Sequence, residues 1–317
     1  MKLSQKNISQ YLKKHKLAQG KPKIEKLTGG WLNPIFLVKA SKPFVVKQVQ
    51  DRGKKEFGFE NYRFPRERML NEYNALQICN DVSPGNAPKT SHVDYENYIF
   101  AMEYIQGEAL DTYLREKKLS NTTARELVKM MLNLHNGTLR NNFAKAMVSH
   151  KNYWPLKYKV QYENAPFSKD AKKKIKEFIP EFKKRKYCVV HGDFNTKNIL
   201  VTTSNGIAAV DWEEAGFSDP AHDVATILGH LIIFKHVFGT VSSWQIQYIF
   251  NKYIEGIGFD NKKDVKRSIV VHTACIILSR LKKPIDLKYI PKSMKPELKE
   301  IAEKAIMSNI KDIRCFL

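Results

Sequence analysis

Cysteine is scarce in this chain. Its 317 residues hold 4, Cys79, Cys188, Cys275 and Cys315, and no two of them form a Cys-x-x-Cys pair. That pattern argues against a zinc module or a disulfide framework and leads to the expectation of a reducing, cytoplasmic setting. Long apolar runs are missing as well. The longest, Val224 to Phe238, is interrupted by Gly229, His230, Lys235 and His236, so it is too short and too polar to span a bilayer. Near the start, Ile8, Tyr11, Leu12 and Leu17 recur at helical spacing between polar residues. This predicts a short amphipathic helix packed on the adjoining domain, not a signal peptide. Cys315 stands third from the end, the wrong register for prenylation. Acidic residues are also in deficit, with 32 Asp and Glu against 54 Lys and Arg, a net charge of +22. Such a surface attracts nucleic acid, acidic membranes or anionic substrates. The lysines are spread along the chain, as in the stretch Lys169 to Lys186, with no aromatic-plus-glycine signature beside them. They are read as a solvated basic surface.

At 43% hydrophobic, the chain is long enough for one large or two ordinary domains. One stretch organises it: Tyr187-Cys-Val-Val-His-Gly-Asp-Phe-Asn-Thr-Lys-Asn-Ile-Leu-Val201, followed by Ile207-Ala-Ala-Val-Asp-Trp-Glu213. Val189 and Val190 end a buried strand, His191-Gly192-Asp193 turns the chain, and Ile199 to Val201 begins a second strand. Ser204-Asn205-Gly206 is a turn, and a third strand, Ile207 to Val210, delivers Asp211. Two carboxylates, Asp193 and Asp211, then converge with the carboxamide of Asn198. Oxygen donors of this kind suit Mg²⁺ rather than Zn²⁺.

Upstream, Ile24 to Leu27 and Ile35 to Val38 flank the loop Thr28-Gly29-Gly30-Trp31-Leu32-Asn33, and Phe44-Val45-Val46 runs into Lys47. An ammonium inside a strand is costly unless paired. The helix at Pro65 to Cys79 offers Glu72, with Glu67 as competitor. Two more strands come next, Thr90 to Val93 and Tyr98 to Ile105, then helices from Leu110 and Arg125.

His-Gly-Asp-x-x-x-x-Asn followed by Val-Asp-Trp resembles the catalytic core of the aminoglycoside phosphotransferase and choline kinase superfamily. Leu27-x-Gly-Gly-x-x-Asn-x-x-Phe-x-Val resembles its nucleotide-covering loop, in which glycines let backbone N–H groups approach phosphate oxygens. The resemblance spans about Lys23 to Leu231. It implies an α+β, two-lobed protein-kinase-like fold: a small antiparallel sheet with one key helix over residues 1–105, and a larger, mainly helical lobe over 106–317. It further implies Asp193 as catalytic base and Asn198 and Asp211 as Mg²⁺ ligands. Gly29, Gly30, Lys47 and Glu72 would serve the phosphates of ATP (or GTP), and the segment Glu103 to Ile105 would read the adenine edge. Asp223 would brace the catalytic loop, His135 would pack, and His222 would be incidental. Asp219 is expected to cap a helix with Pro220 in its first turn; the chain from Gly216 is expected to be mostly helical, and the helices through Ile310 to build the acceptor pocket.

Some features depart from relatives. Gly192 stands where protein kinases usually carry Arg, and no Asp-Phe-Gly, Ala-Pro-Glu or activation segment is present, which disfavours a protein substrate. Lys47-Gln48 and the long Gln50 to Phe64 connection are shared with 5-methylthioribose kinases, but Trp212 replaces their Pro and Lys197-Asn198 differs from their loop. The expected activity is transfer of a γ-phosphoryl group to a hydroxyl of a small molecule: a sugar, thiosugar, amino alcohol or aminoglycoside-like compound. A nucleotide-binding pseudokinase or scaffold, and a basic nucleic-acid-binding protein, are the alternatives; no specific nucleic acid and no membrane is expected as partner. The basic surface generates a first prediction. DNA or RNA association should be weak and fall steeply with salt as counterions are released; tight, sequence-selective binding at physiological salt in a filter or anisotropy assay would contradict it.

Overall fold

The computed structural model describes residues 1–27, 33–51, 63–148, 154–204, 206–308 and 311–317, with Leu156 described by its backbone only. Gly29 and Gly30 lie outside the described residues. A short helix, α1 (Ile8–Lys14), precedes strands β1 (Lys23–Leu27), β2 (Ile35–Lys39) and β3 (Phe44–Gln48). Helix α2 (Arg68–Val82) comes next, then β4 (Thr90–Asp94) and β5 (Ile99–Glu103). These strands form one five-stranded antiparallel sheet in the order β1-β2-β3-β5-β4.

Alternation along β3 explains the layers. Side chains of successive residues leave a strand on opposite faces. Val46 packs outward with Phe36, Val38, Ile99 and Ala101 beneath Leu3, Ile8, Tyr11 and Leu12 of the α1 region. Val45 packs inward with Leu37, Phe100 and Met102, joining the large core that contains Met69, Ala75 and Leu76 of α2. Lys47, two residues beyond Val45, therefore faces inward, and Gln48 faces the N-terminal segment, accepting the Leu3 N–H at 2.7 Å.

The rest is mainly helical: α3 (Leu110–Glu116), α4 (Asn121–Gly137), α5 (Asn142–Met147), α6 (Trp154–Tyr158, continued by a π-helical turn, Lys159–Glu163), α7 (Lys169–Lys184), α8 (Ala221–Phe238), α9 (Ser243–Gly256), α10 (Lys262–Ser279) and α11 (Lys295–Met307). Between these helices run short strands. β6 (Gly107–Ala109) pairs with β8 (Ile199–Thr202), which pairs with β9 (Ile207–Ala209). β7 (Cys188–Val190) pairs with β10 (Gly216–Ser218). The expectation of a mostly helical chain from Gly216 holds in α8 to α11, with α8 starting at Ala221; residues 216–218 are extended because they complete the ladder of β7. Pro220 occupies the cap position of α8, while Asp219 accepts the Ala221 N–H at 2.9 Å. Buried α8 and α10 pack closely at Gly229, where an added Cβ would lie 2.8 Å from the Ile276 side chain. No helix among the described residues is long and apolar enough to cross a membrane.

Candidate active site

The inward side of β3 places Lys47 in a cage of carboxylates. Its Nζ lies 2.8 Å from Glu72 on α2, 2.6 Å from Asp211 and 3.9 Å from Glu213. Lys47 is 1% exposed and Glu72 0%. Glu67, the competing partner, instead sits 3.5 Å from the Tyr98 hydroxyl. Burial pulls the Lys47 ammonium down, but Asp211, Glu72 and Glu213 outweigh it and hold the group above the ordinary lysine range. Burial pushes the Glu72 carboxyl up to about 7 against the pull of Lys47, and removing either partner would leave a buried charge that costs several kcal/mol.

Glu72, Asp211 and Glu213 each bring an oxygen within 4.8 Å of the others. All three already face the Lys47 ammonium. Glu213 Oε2 accepts from Asn33 Nδ2 at 2.7 Å and from Arg68 Nε at 3.2 Å, and Arg68 also donates to Asn33 Oδ1 at 2.9 Å. That buried trio ties Asn33, just before β2, to α2 and to the chain after Asp211. Asp211 differs: its side chain is 47% exposed, and its backbone is left-handed, φ 64°, a conformation Asp tolerates better than most residues.

The catalytic-loop candidates come from the turn after β7. Asn198 Nδ2 donates to the Asp193 carbonyl at 3.0 Å and to Asp193 Oδ2 at 2.9 Å. The Asn198 carbonyl accepts the Val210 N–H at 2.8 Å, which sets Asp211 beside it. Asp193, Asn198, Asp211, Lys47 and Glu72 are thus brought into one neighbourhood. With its nitrogen spent on Asp193, Asn198 keeps its amide oxygen as a donor. Together with the half-exposed Asp211 carboxylate, that hard-oxygen pair fits Mg²⁺.

Two groups hold this loop from behind. Asp223 of α8 accepts the His191 N–H at 2.6 Å and the Gly192 N–H at 3.0 Å, and His135 Nε2 donates to it at 3.3 Å. Burial pushes the Asp223 carboxyl up, but the His135 hydrogen bond and the imidazole of His222, 3.9 Å away, hold it well below the ordinary carboxylate range. His191 accepts the Asp193 N–H on Nδ1, so its Nε2–H donates to Val210 O at 3.1 Å. This neutral tautomer agrees with the downward push of burial on its pKa.

Lys157 of α6 was not visible as a site residue in the sequence, where it is one lysine among many. Buried, its Nζ donates to the Gly192 carbonyl at 2.5 Å, pairs with Glu214 and lies 3.8 Å from Asp193 Oδ1. Burial raises the Asp193 carboxyl, but Lys157 and then Arg280 outweigh it and hold Asp193 below the ordinary range. Burial pushes Glu214 up to about 7 against the pull of Lys157. His222, expected to be incidental, is buried: its Nε2 is 3.2 Å from Gln161 Oε1, and its ring lies 5.0 Å from that of Trp154.

The hinge candidates lie at the end of β5 and just past it. The Glu103 N–H is spent on Lys89 O at 2.8 Å, its side chain is exposed, and Ile105 is half-buried. Met102 packs in the main core.

An antiparallel sheet over a helical body, with a lysine–glutamate pair facing an Asp–Asn loop, defines the protein-kinase-like class. The chain belongs to the phosphotransferase enzyme family, whose model matches residues 23–244. Solved structures agree on the fold. One is a choline/ethanolamine kinase family protein from Mesorhizobium loti, 17% identical, TM-score 0.58, covering 95% of this chain and 93% of that one. Another is the GDP complex of aminoglycoside 2'-phosphotransferase-IIIa, 15% identical, TM-score 0.60, covering 97% and 100%. A third is spectinomycin phosphotransferase with ADP and spectinomycin, 13% identical, TM-score 0.56, covering 96% and 98%. A search of curated protein sequences finds no significant match.

Gly192 has a backbone requirement. Its φ is +83°, and an added Cβ would stand 2.2 Å from the Glu214 carbonyl oxygen. Gly192→Ala should therefore lower stability by about 1–3 kcal/mol, read as a reduced urea midpoint; an unchanged midpoint would contradict the contact.

Proposed function

We propose that this chain is a small-molecule kinase that transfers the γ-phosphoryl group of ATP (or GTP) to an alcohol. The observation that carries the reading is the Lys47–Glu72 ion pair, 2.8 Å, set against Asp211. The nucleoside diphosphates bound to the aminoglycoside and spectinomycin phosphotransferases support a nucleotide in this cleft. The two lobes would divide at residues 105 and 106, and the protein would work in the cytoplasm.

In this reading Lys47, oriented by Glu72, holds the α- and β-phosphates, and Gly29-Gly30 covers them. The Glu103 carbonyl and the Ile105 N–H face the adenine edge. The Asn198 amide oxygen and the Asp211 carboxylate would hold Mg²⁺, whose chemistry when bound is to neutralise charge on the phosphate oxygens. The acceptor hydroxyl oxygen bonds to the γ-phosphorus, and its proton passes to the Asp193 carboxylate. The bond from the γ-phosphorus to the bridging oxygen breaks, and its electron pair leaves with the nucleoside diphosphate. Asp193 suits this role because its depressed pKa keeps it ionised through the neutral range, while Asn198 fixes one carboxylate oxygen and leaves Oδ1 toward Lys157. Positioning and electrostatics supply most of the catalysis.

The test is ADP release with a panel of sugars, amino alcohols and nucleosides, with kanamycin-type compounds and generic protein substrates as controls. Wild-type chain should consume ATP with a small hydroxyl compound. Asp193→Asn, isosteric but unable to take the proton, should lose on the order of a hundredfold or more in turnover while binding nucleotide normally. Turnover within a few-fold of wild type would remove Asp193 from the mechanism, and phosphorylation of generic protein substrates alone would remove the small acceptor.

A further inference from the structure

Arg280 closes α10 and is 6% exposed. Among the described residues no carboxylate lies within salt-bridge distance of it. Its hydrogen bonds go to neutral groups: Nε donates to His230 Nε2 at 3.1 Å, and Nη1 reaches Ser279 Oγ at 3.5 Å. Because a guanidinium N–H can only donate, His230 Nε2 must accept, and the imidazole proton sits on Nδ1. Nδ1–H then faces Thr196 Oγ1 at 3.3 Å, and that hydroxyl donates to Asp111 Oδ1 at 3.1 Å. The chain of donors runs one way, from Arg280 through a neutral imidazole to a threonine three residues beyond Asp193.

This arrangement fixes the guanidinium but does not neutralise it. A guanidinium has five N–H donors in a rigid fork suited to carboxylate and phosphate, and the described residues use two of them. The carbonyl end of α10 supplies about half a charge. Asp111, at the far end of the relay, is paired with Arg115 at 2.8 Å. By contrast Lys157, the other buried cation beside Asp193, already has Glu214 and the Gly192 carbonyl. A buried charge without a partner is costly, and a ligand anion would complete it. The relay through His230 to Thr196 sets Arg280 behind the loop that carries Asp193, and Asp193 and Glu214 oppose the downward pull of burial on its guanidinium, so that anion would lie beside Asp193. The net charge of +22 favours approach of the same class of ligand. That field is screened within about 8 Å at physiological salt, so selection falls to a local donor.

We propose that the acceptor carries an oxyanion group, a carboxylate or a phosphate ester, and that Arg280 receives it beside Asp193. The reaction assigned to this acceptor rests on the phosphotransfer reading above; the anion subsite itself does not.

The experiment compares matched compounds on the full chain. Glycerate and ribose 5-phosphate are set against glycerol, ribose and ethanolamine, with binding measured by calorimetry and turnover by ADP release. At least one anionic compound should bind more tightly than its neutral counterpart. Arg280→Gln should weaken that binding about 10- to 100-fold, as expected for loss of a charge-assisted hydrogen bond, with ATP binding retained as the sign of a folded protein. Arg280→Lys should recover part of it. Should the Gln variant fail to fold, the Lys variant and competition by inorganic phosphate against the anionic compound in wild type give the same reading. Anion binding that depends on Arg280 supports the proposal even if no ATP is consumed, an outcome that would sink the phosphotransfer reading alone. Neutral or cationic compounds binding as well as the anionic ones, anion binding indifferent to Arg280, or no binding by any compound would overturn the subsite.

Discussion

The ammonium of Lys47 is the point through which the two halves of the molecule meet. It is buried on the inner face of β3, and it touches Glu72 of α2 and Asp211 of the chain after β9. Desolvating that charge costs several kcal/mol, which only close and well-directed partners offset. The strand, the helix and the Asp211 loop are therefore constrained together. Arg68 and Asn33 extend the constraint by holding Glu213, two residues past Asp211. The negative charge left facing the cleft belongs to Asp211, the one exposed member of the group, and that is where a phosphate-bound cation would be received.

A second set of buried charges works on the loop from His191 to Asn198. Asp223 fixes two successive backbone N–H groups, at His191 and Gly192. Lys157 takes the Gly192 carbonyl from the opposite side. The peptide units around Gly192 are therefore held by full charges, and any side chain at that position would meet the Glu214 carbonyl as well as a strained left-handed φ. Asp193 emerges from a rigid turn with one oxygen committed to Asn198. The loop is thus preorganised before any ligand binds, which is how electrostatic catalysis avoids reorganisation during the reaction.

Much of this was legible in the sequence because it is local or periodic. Alternation in Phe44-Val45-Val46-Lys47 set the inward face of β3, and the spacing of Asp193, Asn198 and Asp211 marked a single loop and hairpin. The cost of leaving Lys47 unpaired called for a carboxylate on the next helix, and the resemblance favoured Glu72 over Glu67. What escaped reading depends on long-range packing. Strand β10 is three residues long and exists only because β7 offers it a ladder. Lys157 comes from a lysine-bearing stretch with no motif, and its meaning arises from α6 being laid beside Gly192. Arg280 resembles any basic residue at a helix end until its burial and its neutral partners are known. His222 looked incidental because nothing local signals the aromatic cluster around it. The loop with Gly29 and Gly30 lies outside the described residues, and its role rests on the resemblance and on Asn33 at its edge.

The central claim is that the Lys47–Asp211 cluster receives nucleotide phosphates together with a divalent cation. Calorimetric titration of ATP, with and without Mg²⁺, into wild-type chain and Asp211→Ala tests it most directly. The account predicts Mg²⁺-dependent binding in wild type and loss of that dependence in the variant, with the protein still folded. The same Mg²⁺-dependent affinity in both would contradict it.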